Sequence, residues 1–248
     1  MKLKDKVCIV TGATSGMGKA IAEALSCEGA NLVLSGRNQE SGKALENNLG
    51  NAVFVPGDVT DPSYNKKLVD TAMETFGKLD ILSLNAGVLG IGNVENLSID
   101  FWRKTIDTNL SSIFYLCKYA LPYLQKEPQG NILINASIAA FKSFPNHPAY
   151  CASKAAAVAL TKQMAVDYAP KIRVNAICPG PVDTPLLWES AKAFEQPDTA
   201  VENAKKTTLL KRLGTPEDIT KLVLFLVSDD SSWITGTSVT IDGGIINT

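Results

Sequence analysis

A tyrosine and a lysine four residues apart, Tyr150 and Lys154, are the side chains best suited to acid–base chemistry. They open an alanine-rich segment that the sequence predicts as a helix over 152–168, and positions i and i+4 lie on one helix face. A free tyrosine has a pKa of about 10, too high for efficient proton exchange at neutral pH. Because a nearby ammonium favours the phenolate, the pair predicts a tyrosine with a lowered pKa that acts as a general acid or base.

A Tyr-x-x-x-Lys spacing alone is common and is typical of a surface pair, so its meaning depends on its surroundings. Three predicted strands end beside Ser137, Asn85 and Cys178. Ligands of open α/β sheets bind in the crevice at the carboxyl ends of the strands. We therefore expect these strand ends to converge with Tyr150 on one site.

The elements that must position these residues alternate along the chain. Short apolar, β-branched runs predict strands at 7–10, 31–35, 52–56, 79–84, 131–136, 172–177 and 239–241. These runs are almost continuously apolar, as expected of strands buried on both faces of a parallel sheet. Helical patterns lie between them, so the sequence predicts a Rossmann-like, doubly wound α/β fold that forms a single domain over residues 1–248.

Two kinds of residue mark the ends of the predicted helices. Asp61 before Pro62 and Thr215 before Pro216 combine an N-cap with a proline at the first helical position. Pro122 is expected to end a helix, because proline removes a backbone donor.

The segment 181–214 departs from the strand–helix alternation, because it is long and only partly helical in pattern. A long excursion of this kind is typical of a lid or binding loop. Four of its residues give the segment an apolar side, namely Leu186, Leu187, Trp188 and Phe194. They favour a partly apolar substrate, or alternatively packing against the body of the protein or another subunit.

A glycine-rich turn with the spacing G-x-x-x-G-x-G, at Gly12, Gly16 and Gly18, follows the first predicted strand and opens the first predicted helix. Such glycines permit a tight turn and close approach of a pyrophosphate, and a helix N-terminus offers unpaired N–H groups to the anion. Because glycine is also common in turns that bind nothing, the position of this turn between strand and helix supports the prediction. The sequence therefore predicts a dinucleotide phosphate site.

The end of the second predicted strand indicates which dinucleotide binds. A carboxylate at this point would bind the ribose 2′-hydroxyl of NAD, but the chain has Ser35 and Arg37 here and no acid before Glu40. A guanidinium offers paired donors to a 2′-phosphate, and Ser35 can add a hydroxyl. We therefore predict that NADP(H) is preferred over NAD(H). If Arg37 is only a solvated loop residue, the preference is weak.

Composition narrows the remaining classes of function. The formal net charge is -1 and no long run of like charges is present, so a nucleic acid partner is not expected. No apolar stretch is long enough to span a membrane.

The 5 cysteines are scattered and never spaced as C-x-x-C, and the chain has 1 histidine. We therefore expect free thiols, no metal site and a cytoplasmic location.

The order and spacing of the motifs resemble those of the short-chain dehydrogenase/reductase family, and the resemblance covers essentially the whole chain. Single-domain members such as 3-oxoacyl-acyl-carrier-protein reductases and glucose dehydrogenases are similar. The matching positions are Thr11-Gly12-x-x-x-Gly16-x-Gly18, Asp58-Val59, Asn85-Ala86-Gly87, Asn109, Ser137, Tyr150-x-x-x-Lys154, and Pro179-Gly180 with Thr184. Two departures, Leu84 before Asn85 and Ala136 before Ser137, spare the residues that are expected to act.

The resemblance implies a catalytic tetrad of Asn109, Ser137, Tyr150 and Lys154. In this scheme Tyr150 protonates the carbonyl oxygen, or deprotonates the alcohol in reverse, while Ser137 holds that oxygen. Lys154 binds the nicotinamide ribose and lowers the pKa of Tyr150. Asn109 supports a proton-relay water.

The resemblance also implies a cofactor site. Asp58 corresponds to a residue beside the adenine, and Thr184 to one near the nicotinamide amide or the phosphates. The full set of expected cofactor contacts is Gly12, Thr14, Ser15, Gly16, Met17, Gly18, Ser35, Arg37, Asp58, Val59, Asn85, Ala86, Gly87, Tyr150, Lys154, Pro179, Gly180, Val182 and Thr184. A homotetramer is implied as well, with one dimer interface on segment 98–124 and the tyrosine helix, and further contacts near 241–244.

Three functions remain open from the sequence. The first is a general NADPH-dependent ketone or aldehyde reductase, and the second is a 3-oxoacyl-acyl-carrier-protein reductase, which needs a basic surface to dock its acidic carrier. The third is a dinucleotide sensor without catalysis. His147, three residues before Tyr150, either contacts substrate or serves as a structural hydrogen-bonding group.

Overall fold

The structure is a computed structural model that describes residues 1–248. Its strands are β1 (Val7–Thr11), β2 (Asn31–Gly36), β3 (Ala52–Pro56), β4 (Ile81–Leu84), β5 (Gly130–Asn135), β6 (Ile172–Pro179) and β7 (Ser238–Ile241). All neighbours pair in parallel, in the order β3-β2-β1-β4-β5-β6-β7. The predicted strands and the Rossmann-like α/β class are confirmed.

Both faces of the sheet are buried. In the central strand β1, Val7 and Ile9 belong to one apolar cluster, whereas Cys8 and Val10 belong to the other. Successive side chains of a strand point to opposite faces, so every position of β1 must be apolar to fill two cores. This explains the continuous apolar runs in the sequence.

Helices cover the two faces. They are α1 (Gly16–Cys27), α2 (Gln39–Leu49), α3 (Pro62–Phe76), α4 (Ile99–Ile106), α5 (Ser112–Leu124), α6 (Pro148–Tyr168), α7 (Pro185–Ala191), α8 (Pro197–Thr207) and α9 (Pro216–Val227). Side chains of α3, α5 and α6 belong to one apolar cluster, and those of α1, α2 and α9 belong to the other. The fold is therefore doubly wound.

The predicted caps are present, but one helix end differs. Asp61 accepts a hydrogen bond from the N–H of Ser63, and Thr215 forms a reciprocal capping box with Asp218. Pro122 does not end its helix, because α5 continues to Leu124, a fully buried core residue. Burial of this last turn offsets the hydrogen bond that proline cannot make.

The segment 181–214 folds over the carboxyl end of the sheet as α7 and α8. Its two ends meet where Val182 pairs with Gly214 in a short parallel bridge. The Trp188 indole nitrogen donates a 2.9 Å hydrogen bond to Asp183, which holds α7 against the chain that leaves β6.

No helix of the chain has the length and apolar character needed to cross a membrane.

Candidate active site

A polar groove of about 420 Å3 runs along the carboxyl ends of β1, β2 and β4. It lies where β1 and β4 adjoin, at the point where the strand order reverses, which is the usual position of a dinucleotide in such sheets. The predicted cofactor residues brought together here are Gly12, Thr14, Ser15, Gly16, Met17, Gly18, Ser35, Arg37, Asp58, Val59, Asn85, Ala86, Gly87 and Thr184.

The glycine turn has the construction that a pyrophosphate requires. A Cβ added to Gly18 would collide with the Gly12 carbonyl group, so only glycine allows α1 to pack this closely on the turn. Ser15 precedes α1 without a side-chain cap, and the first turn holds no acidic residue. The N–H groups of the helix start are thus left for an anion in the groove. These residues fit a dinucleotide.

The residues at the end of β2 bear on cofactor choice. Arg37 is exposed and makes no ion pair within the chain, so its guanidinium is free to meet a phosphate. Ser35 lines the same groove, but it is fully buried and its hydroxyl lies 2.9 Å from that of Tyr64. This pairing argues against a phosphate contact by Ser35.

Gly36, which the sequence reasoning missed, adds a second constraint on the cofactor. A Cβ at this position would collide with the side chain of Thr14. No carboxylate can therefore stand directly before Arg37 while Thr14 is present. The available signal in the sequence was a glycine at the end of a buried strand, which often marks a close approach of another chain segment.

An apolar pocket of about 170 Å3 adjoins the polar groove. The two cavities share four lining residues, Met17, Leu89, Thr184 and Leu186. Of the 23 residues that line the pocket, 16 are hydrophobic, which suits an apolar substrate. The predicted cofactor residues Pro179, Gly180 and Val182 line this pocket rather than the groove.

Ser137 and Tyr150 stand in the wall of the apolar pocket, and Lys154 lies behind them. The Lys154 ammonium is 5.7 Å from the centroid of the Tyr150 ring. Its Nζ donates a 2.7 Å hydrogen bond to the backbone carbonyl of Asn135, at the end of β5. Asn135 was missed by the sequence reasoning, although it lies two residues before Ser137.

The pKa values in the pocket differ from the sequence prediction. Burial raises the pKa of Tyr150 to about 12, while hydrogen bonding by Ser137 acts in the opposite direction. Burial lowers the pKa of Lys154 to about 8. The lowered pKa that the sequence predicts for Tyr150 is not present here, because the loss of hydration is the largest influence on its hydroxyl. At neutral pH Tyr150 is therefore a protonated phenol and Lys154 a charged ammonium. Tyr150 must be protonated in this way to act as a proton donor.

Asn109 lies in a π-helical turn, Asp107–Ser111, between α4 and α5. Its Oδ1 accepts a 2.8 Å hydrogen bond from the N–H of Val88, and its Nδ2 donates to the Val88 carbonyl at 2.9 Å and to the Ser153 hydroxyl at 3.0 Å. The Ser153 hydroxyl donates to the carbonyl of Tyr150 at 2.8 Å. Asn109 therefore joins the chain after β4 to the helix of the tyrosine.

His147 precedes α6 and is almost completely buried. Its Nδ1 lies 2.6 Å from the carbonyl oxygen of Pro145, and its Nε2 lies 2.9 Å from the hydroxyl of Ser190. Because a carbonyl can only accept, Nδ1 carries the proton, and Nε2 accepts from Ser190. His147 thus makes the hydrogen bonds expected of a structural group, and its ring also lies in the wall of the apolar pocket.

The groove at the point where the strand order reverses is that of a dinucleotide-binding α/β protein, and the adjoining apolar pocket leaves room for a second ligand. A family model described as Enoyl-(Acyl carrier protein) reductase matches residues 12–246. A 3beta-hydroxysteroid dehydrogenase of Mediterraneibacter gnavus is 39% identical over 265 residues, which cover 98% of this chain and 95% of that protein. A cyclohexanol dehydrogenase of Acinetobacter sp. is 37% identical over 248 residues, with coverages of 98% and 95%.

The fold comparison agrees with the sequence comparison. The ligand-free aldohexose dehydrogenase of Thermoplasma acidophilum superposes with a TM-score of 0.92 and 34% identity, over 99% of this chain and 96% of that one. The chain therefore belongs to the short-chain dehydrogenase/reductase family. It is an enzyme that acts on CH–OH and C=O groups with a nicotinamide dinucleotide.

Proposed function

We propose that this enzyme is an NADP(H)-dependent oxidoreductase that interconverts a ketone or aldehyde and an alcohol, with Tyr150 as general acid/base. The observation that supports this most directly is the position of Tyr150 and Ser137 in the wall of an apolar pocket that adjoins a dinucleotide groove. A carbonyl group in this pocket meets two hydroxyl groups, of which one can donate a proton. We infer that the tetrad is Asn109, Ser137, Tyr150 and Lys154.

In the reduction, the residues of the chain handle the proton and the developing charge. The dinucleotide, when bound, supplies a hydride. Tyr150 gives its phenolic proton to the carbonyl oxygen, and Ser137 donates a hydrogen bond to the same oxygen. The Lys154 ammonium stabilises the phenolate that Tyr150 leaves behind. Asn109 holds the helix of Tyr150 in register through Ser153.

The preference for NADP(H) rests on Arg37 and Gly36. The exposed guanidinium of Arg37 is free to bind a 2′-phosphate with paired donors. The close approach of Thr14 to Gly36 leaves no room for a carboxylate that would favour NAD(H) and repel a phosphate.

The substrate that fits the pocket best is a small alicyclic ketone or its secondary alcohol. Hydrophobic residues make up most of the pocket wall, and a carbocycle buries its apolar surface there without unmet hydrogen bonds. Two relatives, named for cyclohexanol and a 3beta-hydroxysteroid, point to the same class of ring alcohol.

A 3-oxoacyl thioester on an acyl carrier protein is the second candidate, because a relative from Thermotoga maritima that is 33% identical is named as a 3-oxoacyl-[acyl-carrier-protein] reductase. An acidic carrier needs free basic residues near the pocket. Several basic side chains on and after α8 are already paired with acids, as shown by Lys205 and Lys206 with Glu202 and by Arg212 with Asp218. The small-molecule substrate is therefore preferred.

The test follows the absorbance of NADPH, which is consumed by cyclohexanone or acetoacetyl coenzyme A and is formed when NADP+ oxidises glucose. The proposal predicts the highest kcat/KM for cyclohexanone. A preference for the thioester would select the carrier-protein reductase. NADPH binding without turnover of any carbonyl would select the sensor, and each of these two results would contradict the proposal.

The same proposal includes a cytoplasmic homotetramer. All 5 cysteines are free, which fits a reducing compartment.

The tetramer is supported by an exposed apolar face. Phe114, on α5, is half exposed beside an open groove that also includes Leu160 on α6, and such a face is typical of a subunit interface. Light scattering at micromolar concentration is expected to give four times the chain mass of 26.5 kDa. A monomer would contradict this assembly.

A further inference from the structure

Two polar side chains in the apolar pocket have no part in the proposed chemistry. Apart from Ser137, Tyr150 and Thr184, the polar side chains that line the pocket are His147 and Ser190. They are hydrogen-bonded to each other at 2.9 Å. A polar pair inside a wall that is otherwise apolar is typical of a group that orients a ligand.

The hydrogen bonds of His147 fix the direction of this pair. Its Nδ1 must donate to the carbonyl of Pro145, which lies 2.6 Å away and can only accept. The other nitrogen, Nε2, is therefore an acceptor in the neutral ring, and the Ser190 hydroxyl donates its single proton to it. The lone pairs of the Ser190 oxygen remain, so the pair offers a hydrogen-bond acceptor to the pocket.

The pair is held firmly in place. The His147 ring packs edge-to-face between Phe144 and Tyr150, with ring centroids 6.4 Å and 6.2 Å away. The neighbouring Asn146 donates a 3.1 Å hydrogen bond to the carbonyl of Ala193, just after α7. Both residues therefore connect the chain before α6 to the α7 region that carries Ser190. Ser190 is bonded to a ring that itself lies beside Tyr150, and both Ser190 and Tyr150 line the one pocket that a substrate would occupy.

We propose that His147 and Ser190 form a specificity subsite that binds a second hydroxyl group of the substrate. This inference rests on the proposed reduction of an alicyclic ketone at Tyr150. The substrate class is thereby narrowed to a hydroxyketone, or the corresponding diol, whose ring places one oxygen at Tyr150 and a hydroxyl at Ser190. A hydroxyl is selected because it donates to the Ser190 oxygen, whereas a ring without a hydroxyl gains no hydrogen bond from the pair.

The first test compares 4-hydroxycyclohexanone with cyclohexanone as substrates in the presence of NADPH. The wild-type enzyme is expected to show a kcat/KM ratio of about 3 to 10 in favour of the hydroxyketone, the discrimination of one neutral hydrogen bond. Ser190→Ala removes the hydroxyl acceptor but leaves Nε2 of His147 without its donor, so the double variant His147→Phe/Ser190→Ala is the one expected to bring this ratio close to one. Ser232→Ala alters an exposed serine outside the pocket and is the matched control, with the wild-type ratio expected.

The second test measures binding, so that it does not depend on turnover. Dissociation constants of trans-cyclohexane-1,4-diol and cyclohexanol are measured by calorimetry on the Tyr150→Phe variant with NADP+ bound, with and without the two further changes His147→Phe and Ser190→Ala. We expect about 3- to 10-fold tighter binding of the diol, and loss of this difference when both acceptors are removed. A diol preference without turnover of either ketone would refute the proposed function and keep the subsite. Equal binding of diol and cyclohexanol, or a preference that survives removal of both acceptors, would overturn the subsite even if cyclohexanone is reduced.

Discussion

The Nζ of Lys154 donates a 2.7 Å hydrogen bond to the backbone carbonyl of Asn135. Asn135 is the last residue of β5, and Ser137 follows two positions later. The bond therefore fixes the ammonium on α6 relative to the strand end that carries the serine. Because Lys154 is almost fully buried here, its charge state should control the activity of the site.

The first prediction concerns pH. Burial lowers the pKa of Lys154 to about 8 and raises that of Tyr150 to about 12, so below pH 8 the lysine is charged and the tyrosine is protonated. Carbonyl reduction requires both states. As the pH rises through the pKa of Lys154, the ammonium is lost, and kcat/KM is expected to fall about tenfold per pH unit.

The variant Lys154→Arg provides the control for this assignment. A guanidinium does not lose its proton in the accessible range, so the fall above pH 8 should disappear, whatever activity the variant keeps. The measurement is the pH profile of NADPH-dependent ketone reduction from pH 6 to 10. A fall that persists in Lys154→Arg would assign it to another group.

The second prediction concerns stability. Asn109 satisfies both the N–H and the carbonyl of Val88 and also binds Ser153. Asn109→Ala leaves the two Val88 backbone groups without their partner, while Ser153 keeps the Tyr150 carbonyl as acceptor, and we expect a loss of about 2 to 4 kcal/mol in the free energy of unfolding. Urea denaturation without cofactor measures it. Asn48→Ala, at an exposed helical site, should change stability by less than about 0.5 kcal/mol, and equal effects of the two would refute the role of Asn109.

The third prediction concerns the cofactor. Arg37→Leu removes the free guanidinium, and kcat/KM for NADPH is expected to fall by about 10- to 100-fold, the value of charged hydrogen bonds, while that for NADH changes little. Gln39→Leu changes an exposed, uncharged neighbour and should keep the wild-type preference. If the ratio of kcat/KM for NADPH to kcat/KM for NADH is the same in the wild type and in Arg37→Leu, then Arg37 does not bind the cofactor.

The general fold could be predicted from the sequence because its signals are local. A strand buried on both faces must be apolar at every position, and β1 shows this directly, since Val7 and Cys8 enter opposite cores. The glycine-rich turn could also be predicted from the sequence. Gly18 is required there because the start of α1 packs directly on the Gly12 carbonyl group.

Features that depend on distant partners could not be read in this way. Ser35 looked available to a phosphate, but its partner Tyr64 comes from α3. The π-helical turn at Asn109 accompanies hydrogen bonds to Val88 and Ser153, both remote in sequence. The raised pKa of Tyr150 depends on burial, which no spacing of residues reveals.

The central claim is that Tyr150 donates the proton in NADPH-dependent reduction of a carbonyl. Its most direct test is the turnover of cyclohexanone by Tyr150→Phe, which removes only the phenolic oxygen, with NADPH binding followed in parallel by fluorescence titration. We predict that kcat falls by at least about 100-fold while NADPH binding is retained, because general acid catalysis typically contributes this much. A variant that binds NADPH and keeps a substantial fraction of the wild-type kcat would contradict the assignment of Tyr150.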